Sequence, residues 1–359
     1  MSCLNSEQPA EGGEMLPDLA MVYSDEDSLE HVKMFQMSTK TLWLWLLLVF
    51  LLLTYYKGTN KSSNSSMLPC GGLLTQHKWE RLNLNISRQT HLFLEMKDFF
   101  WHKHLSNQTL PYGIKGNELL LLKIISKVQI NYVPDNIENL RCRTCVVVGN
   151  GFSIKNTSLG SAIDKHHVVI RLNDSPVRGY EEDVGGKTTM RLFYPESATY
   201  NPNLQNNPDT LMVLVPFKQE DLHWLKAIVY KEKIVSKGFW KHPPLKWLGD
   251  ISKIRVLDPH YLHQTADRLL HIPLHSNNRK PVHPTTGILA VFVALNYCDV
   301  VHIAGFGYPS SKNQNHRIHY FGYDTIKSMK NSYHDVQHEA DALKRLEDLG
   351  AIVFLHPHT

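Results

Sequence analysis

Short apolar, β-branched runs recur through the second half of the chain at Cys145–Val148, Val168–Arg171, Met190–Phe193, Leu211–Val215, Ile254–Leu257, Val300–Ile303 and Ile352–Leu355. Longer amphipathic stretches fall between them, and Leu222–Tyr230, Thr286–Tyr297 and Val336–Leu349 read as helices. Strands that alternate with helices cannot pair by tight hairpins. They predict a mostly parallel sheet covered on both faces, an α/β domain. Upstream, Glu118–Ile130 is the strongest helix pattern. Residues 231–247, rich in Lys, Trp and Pro, are expected as a loop that could act as a lid, and no internal repeat or heptad pattern is visible.

A second feature divides the chain. Residues 41–56, TLWLWLLLVFLLLTYY, carry no charge and are bracketed by Lys40 and Lys57. As a helix they would span roughly 24 Å, short of the ~30 Å hydrocarbon core, with snorkelling lysines and the Trp43, Trp45, Tyr55 and Tyr56 belt covering the difference. A cleaved signal peptide would have a forty-residue acidic leader and no small-residue cleavage site, and a core helix would be amphipathic rather than apolar all round. The expectation is one membrane anchor. Residues 1–40 hold eight acids against two lysines, a net of −6, which leaves +10 for the other 319 residues.

Flanking lysines do not orient the anchor, because two lie close on either side. Sequons do: Asn60, Asn64, Asn85, Asn107 and Asn156 all begin Asn-x-Ser/Thr triplets after it. Beyond the tail Cys3 there are four cysteines, Cys70, Cys142, Cys145 and Cys298, an even set suited to an oxidising compartment. The expected order is a cytosolic tail (1–40), a signal-anchor helix (41–56), a Ser/Asn-rich stem (57–69) and one lumenal domain (70–359).

Chemistry-bearing residues gather in four places. The run CVVVGNGFS from Cys145 to Ser153 is a strand ending in Gly149-Asn150-Gly151, a turn where backbone can approach a nucleotide closely. VVIRLN ends a second strand in Asn173, and carboxyl ends of parallel strands line one crevice, so Asn150 and Asn173 are expected to converge. HPTTG, from His283 to Gly287, places Thr285 and Thr286 where they can cap a helix whose first N–H groups face an anion, and the next strand ends IAGFG, with Gly305 and Gly307. HRIHY (His316 to Tyr320) and HDVQHE (His334 to Glu339) supply the histidines.

Two readings of the last segment stay open. His334 and His338 share one helix face, which suits a metal and a lumenal metal-dependent hydrolase, although no third ligand is obvious. Alternatively His334 is a general base and Glu339 supports the local structure. The full dinucleotide fingerprint of a nicotinamide-dependent oxidoreductase is absent, as is the many-cysteine framework usual in a type II lectin. The sole Asp-x-Asp, Asp25-Glu-Asp27, lies in the tail. A transferase without that metal motif must neutralise an anionic donor with helix dipoles and hydrogen-bonding or cationic side chains, and the basic body suits such a donor.

In order and spelling, these segments resemble the four sialylmotifs of the eukaryotic sialyltransferases. The large motif is similar to the stretch from Cys142 to Arg191 and the small one to HPTTGILAVFVALNYCDVVHIAGFG; HYFG from His319 resembles the third and His334–Glu339 the very small motif. The HPTTG and HYFG spellings are similar to the β-galactoside α-2,3 branch. The resemblance implies a metal-independent variant of the nucleotide-binding, Rossmann-like GT-A glycosyltransferase fold in a Golgi type II membrane protein that needs no cofactor. It implies CMP-sialic acid as donor and the 3-hydroxyl of a terminal β-galactose as acceptor. The lactose unit of lactosylceramide, in ganglioside synthesis, is the expected acceptor, with glycoprotein galactosides as the alternative. No nucleic acid partner is expected, and pairing with a second copy is left open.

Carried over by motif, Cys145 would bridge to Cys298 and Cys70 to Cys142. His334 would be the base, and His319 would hydrogen-bond the departing phosphate. Asn150, Asn173, Thr285, Thr286, Gly287, Gly305 and Tyr320 would contact substrate. Three positions depart from the family pattern: His167 stands where a carboxylate is usual, Gly186 where Ser or Thr is common, and Gly322 where an acid or amide is frequent.

Overall fold

The computed structural model describes Trp43, Trp45–Val49 and, from Gln76 to Pro357, all residues except 85, 87–90, 102–107, 129–134, 141, 275–281, 308–314 and 330–333. Seven strands form one sheet: β1 (Thr144–Val148), β2 (Val168–Leu172), β3 (Met190–Phe193), β4 (Leu211–Leu214), β5 (Ile254–Val256), β6 (Val300–Ala304) and β7 (Val353–Phe354). Their order is β5-β4-β3-β2-β1-β6-β7 and every pairing is parallel. Each lies within a residue or two of its apolar run, and β3 coincides with it. The longer helices are α1 (Glu118–Ile125), α2 (Gln219–Tyr230), α3 (Thr286–Tyr297) and α4 (Val336–Asp348).

The strand pattern explains the layering. Alternate residues of one strand point to opposite faces, so Cys145 and Val147 of β1 join one core with α3, while Val146 and Val148 join another with Ile163 and Tyr320. A third cluster packs α1 and α2 over β4 and β5 through Leu121, Trp224 and Leu225. Helix α3 is buried from Ile288 to Tyr297. Such a helix can only lie inside, which is why its sequence is apolar on every side.

Two helices differ from expectation at their ends. Helix α2 begins at Gln219 rather than Leu222, because Asp221 Oδ2 accepts from the amides of Phe217 (2.8 Å) and Lys218 (3.1 Å) and so starts the helix one turn earlier. Helix α1 stops at Ile125 rather than Ile130, where the Ser126 hydroxyl donates back to the Lys123 carbonyl at 2.8 Å. Residues 231–247 form no helix or strand.

From β1 the chain steps outward through β2 to β5, then returns to the other side of β1 to lay down β6 and β7. The carboxyl ends of β1 and β6 therefore diverge to opposite connections. In open α/β sheets that switch point is where ligands bind.

The Cys145–Cys298 disulfide forms across a separation of 153 residues, joining β1 to the end of α3. Cys142 is disulfide-bonded; Cys70, its expected partner, lies outside the described residues. So do the tail, the stem, most of the expected anchor and the sequons at Asn60, Asn64, Asn85 and Asn107. Trp43 and Trp45–Val49 are helical and exposed, and among the described residues no helix is long and apolar enough to cross a membrane. Asn156 is exposed, in a left-handed conformation (φ 61°).

Candidate active site

At the switch point the backbones of two turns touch. The Gly149 amide donates to the Ala304 carbonyl and the Gly151 amide to the Gly305 carbonyl, both at 2.7 Å. A side chain at Gly149 or Gly151 would collide with the Gly305 carbonyl, and one at Gly305, where φ is +70°, with the Gly149 carbonyl. Only glycine permits this approach. The sequence placed both glycine turns at strand ends; the fold brings them together.

Next to them runs the loop from His316. Phe152 donates to the Ile318 carbonyl (2.9 Å) and Tyr320 to the Asn150 carbonyl (3.1 Å), so His319 sits directly against the Asn150–Gly151 turn. Its ring stacks on Phe321 (centroids 5.3 Å apart, planes at 10°), and Nδ1 lies 3.9 Å from Asp324. Burial lowers the His319 pKa and outweighs the opposing charges of Asp324 and Asp174. The ring is thus held neutral near pH 7, with one N–H to donate.

Asn173 follows β2 in a left-handed turn (φ 54°), its amide donating to the Leu192 carbonyl at 2.8 Å. Arg191 clamps that turn from below: Nη1 donates to the carbonyls of Asn173 (2.9 Å) and Ser175 (3.0 Å). The side-chain oxygens of Asn150 and Asn173 are both buried without a hydrogen-bond partner. A buried amide oxygen left unpaired costs about 1–3 kcal/mol, so the turns after β1 and β2 each hold an acceptor still to be satisfied.

The start of α3 closes the crevice. Thr285 is its N-cap, its hydroxyl oxygen accepting from the Ile288 amide at 3.2 Å. The same hydroxyl donates to Glu339 Oε2 (2.6 Å), and the Thr285 amide donates to Glu339 Oε1 (2.7 Å). The amide and hydroxyl protons of Thr285 are therefore both taken by Glu339. The amides of Thr286 and Gly287, in the first turn of α3, carry the positive end of the helix. A side chain at Gly287 would press on the Phe306 ring (3.3 Å), with Leu172 beside it (3.8 Å), so the helix start stands next to the β2 and β6 turns.

Helix α4 docks on that start. Glu339 is buried, and burial pushes its carboxyl up to about 7 against the two Thr285 hydrogen bonds. One turn earlier, His334 Nδ1 lies 2.7 Å from the His283 carbonyl. A carbonyl can only accept, so Nδ1 carries a proton, which makes Nε2 the basic nitrogen of the neutral ring. His283 in turn meets the Tyr112 hydroxyl at 3.2 Å, and burial, helped by His334, lowers its pKa. No group of three or more His, Cys, Asp or Glu side chains that could hold a metal occurs among the described residues, so the His334/His338 alternative finds no third ligand there.

Tyr320 is buried too. It is 3% exposed, its hydroxyl donates to the Pro176 carbonyl (2.7 Å), and burial raises its pKa to about 12. It braces the stretch after Asn173 from within the core. His167, unusual for its position, accepts at Nδ1 from the Thr144 amide (3.1 Å) and hydroxyl (2.9 Å), the acceptor task a carboxylate would perform. Asp164 receives the Gly186 and Lys187 amides at 2.9 Å each, so Gly186 takes part through backbone alone. Gly322 has φ +66°, which favours glycine over the usual acid or amide. No local pattern marks Tyr112, Arg191 or His356, whose contacts with His283, Asn173 and Gly305 span 171, 18 and 51 residues, and nothing in HPTTG marks its leading His283.

The chain thus carries a parallel α/β sheet with two touching glycine turns at its switch point and His319 against them. Residues 93–351 match the family described as glycosyltransferase family 29 (sialyltransferase), and the chain belongs to it. It is 51% identical over 284 residues to human CMP-N-acetylneuraminate-beta-galactosamide-alpha-2,3-sialyltransferase 4, covering 79% of this chain and 85% of the relative. It is 42% identical over 248 residues to human type 2 lactosamine alpha-2,3-sialyltransferase, covering 68% and 74%. A crystal structure of a mammalian sialyltransferase in complex with Gal-beta-1-3GalNAc-ortho-nitrophenol matches with TM-score 0.59 at 27% identity, covering 78% of this chain and 96% of that one. The chain is a sialyltransferase of the α-2,3 kind.

Proposed function

We propose that the enzyme transfers sialic acid from CMP-sialic acid to the 3-hydroxyl of a terminal β-galactose in one inverting step, without a metal. The observation that carries the donor reading is the pair of buried, unpartnered oxygens of Asn150 and Asn173. Ribose hydroxyls and an exocyclic amine are donors of the kind these oxygens lack. The first-turn amides of α3 and the neutral His319 face the phosphate.

In the step itself His334 Nε2 takes the proton from the 3-hydroxyl as that oxygen attacks the anomeric carbon. The bond from that carbon to the phosphate oxygen breaks, its electron pair leaves with CMP, and configuration inverts. His319 donates a hydrogen bond to the phosphate as its charge grows. The His283 carbonyl keeps the base in the right tautomer, and Glu339 holds the start of α3 against α4.

For the acceptor, the relatives' names speak of galactosamides and type 2 lactosamine rather than of a glycolipid. We therefore favour galactose on glycoprotein lactosamine chains, the alternative reading, over lactosylceramide. We further propose a single-pass type II arrangement in the Golgi membrane, supported by the uncharged 41–56 stretch and by sequons and a disulfide carried on its C-terminal side.

The test is a transfer assay on the full-length protein in detergent with CMP-sialic acid and EDTA. The acceptors are a desialylated glycoprotein, free lactose and lactosylceramide. Transfer chiefly to the glycoprotein, unaffected by EDTA, is expected. Transfer chiefly to lactosylceramide would restore the lipid reading, and strict dependence on a divalent ion would overturn the metal-free mechanism.

A further inference from the structure

The C-terminal segment reaches the glycine crevice through one side chain that lies outside all four sialylmotifs. His356 is 7% exposed, and its Nε2 accepts from the Gly305 amide at 2.9 Å. Its Nδ1 lies 2.8 Å from the Pro357 carbonyl, which can only accept. These two contacts define a single neutral tautomer: Nδ1 carries the proton, and Nε2 is the acceptor.

The reason an imidazole is needed lies in the sheet edge. β7 is two residues long, and its ladder with β6 ends where Leu355 donates to the Ile303 carbonyl at 3.0 Å. Two residues beyond Ile303, Gly305 turns to φ +70° and its carbonyl is taken by the Gly151 amide. The chain after β7 no longer offers Gly305 a backbone acceptor, so its buried N–H would be orphaned. His356 fills that place with a side chain. The Gly305 peptide is thereby gripped from both sides, by Gly151 through its oxygen and by His356 through its nitrogen.

We propose that His356 is a positioning residue for the donor: it fixes the Gly305 peptide, and through it the Gly149–Gly151 turn that carries Asn150. This rests on the reading of that crevice as the CMP-sialic acid site. The hydrogen bonds of His356 go to Gly305 and Pro357, and those of His334 to the His283 carbonyl. Loss of His356 therefore bears on donor binding and leaves acceptor binding alone.

The experiment is steady-state kinetics of the full-length enzyme with both substrates varied, for wild type, His356→Leu and His356→Gln, with Asn150→Ala as reference. Removing one buried hydrogen bond of this kind should raise the KM for CMP-sialic acid about tenfold in His356→Leu with the acceptor KM unchanged. His356→Gln, whose amide oxygen can accept, should return it to within about threefold of wild type. An unchanged donor KM in folded His356→Leu, or equal rises for donor and acceptor, overturns the proposal. If His356→Leu is not recovered folded, His356→Gln decides alone: a donor KM near wild type supports the proposal and a tenfold rise overturns it. Asn150→Ala separates the two levels. If it too leaves the donor KM untouched, the crevice reading has failed; if it raises the KM while His356→Leu does not, only the positioning role has.

Discussion

The two halves of the sheet solve different problems. Around β1 and β6 the geometry is made by backbone: paired glycine turns in direct contact, a capped helix start, and a disulfide from β1 to the end of α3. Around β4 and β5 it is made by large side chains. Trp247 stacks on Phe193 (5.7 Å, 21°), Trp224 donates to the Pro244 carbonyl (3.0 Å), and Lys218 lies over Phe239 (4.8 Å). These contacts hold residues 231–247, whose tip still leaves Trp240 75% exposed. The first region tolerates no added atom, whereas the second presents a surface that can vary without disturbing the core.

Substitutions should expose that contrast, most strongly at the disulfide. Cys298→Ala opens a covalent loop of 153 residues and should lower unfolding stability by about 5 kcal/mol in the loop-entropy account, read by denaturant titration. A loss below 1 kcal/mol would remove the disulfide from the account of the rigid half. His334→Ala should leave the fold intact and lower kcat by about 10²–10⁴-fold, or roughly 3–5 kcal/mol of barrier. More than a tenth of wild-type turnover in the folded variant would show the base to be elsewhere.

Glu339 gives a pH signature. Its folded pKa of about 7 lies above the ordinary carboxylate value, so below neutrality the folded state binds a proton that the unfolded state releases until about pH 4.5. Its contribution is fully present below that lower value and fades as pH rises through 7, an effect of about 3 kcal/mol at most. Glu339→Gln should flatten the stability profile between those limits. An unaltered profile would mean that burial does not govern this carboxyl. On the other half, Trp240→Ala should change stability by no more than about 0.5 kcal/mol, as for an ordinary exposed position, and a larger loss would show that the 231–247 tip is part of the core.

The same contrast explains what could be read in advance. The strands were legible because continuous apolar runs have few other uses, and α3 matched Thr286–Tyr297 because Thr285 caps it and its interior is apolar throughout. Asn150 and Asn173 do follow adjacent parallel strands, β1 and β2, as their runs suggested. Thr285 and Tyr320 were assigned to substrate because a hydroxyl in a motif does not reveal its partner; Glu339 and the Pro176 carbonyl take them. Tyr112 lies 171 residues from His283, and His356 lies 51 from Gly305. No local pattern announces contacts made by such distant chain. The acceptor was not legible in the motifs, and the glycoprotein alternative is favoured by the relatives' names, galactosamide and type 2 lactosamine.

The central claim, that the glycine crevice holds the CMP portion of the donor without a metal, is tested most directly by calorimetric titration of CMP into the full-length enzyme in EDTA. Wild type should bind, and Asn150→Ala and Asn173→Ala should each weaken binding about tenfold or more while keeping the wild-type melting temperature within a few degrees. Undiminished binding in both folded variants, or binding that appears only when a divalent ion is restored, would contradict it.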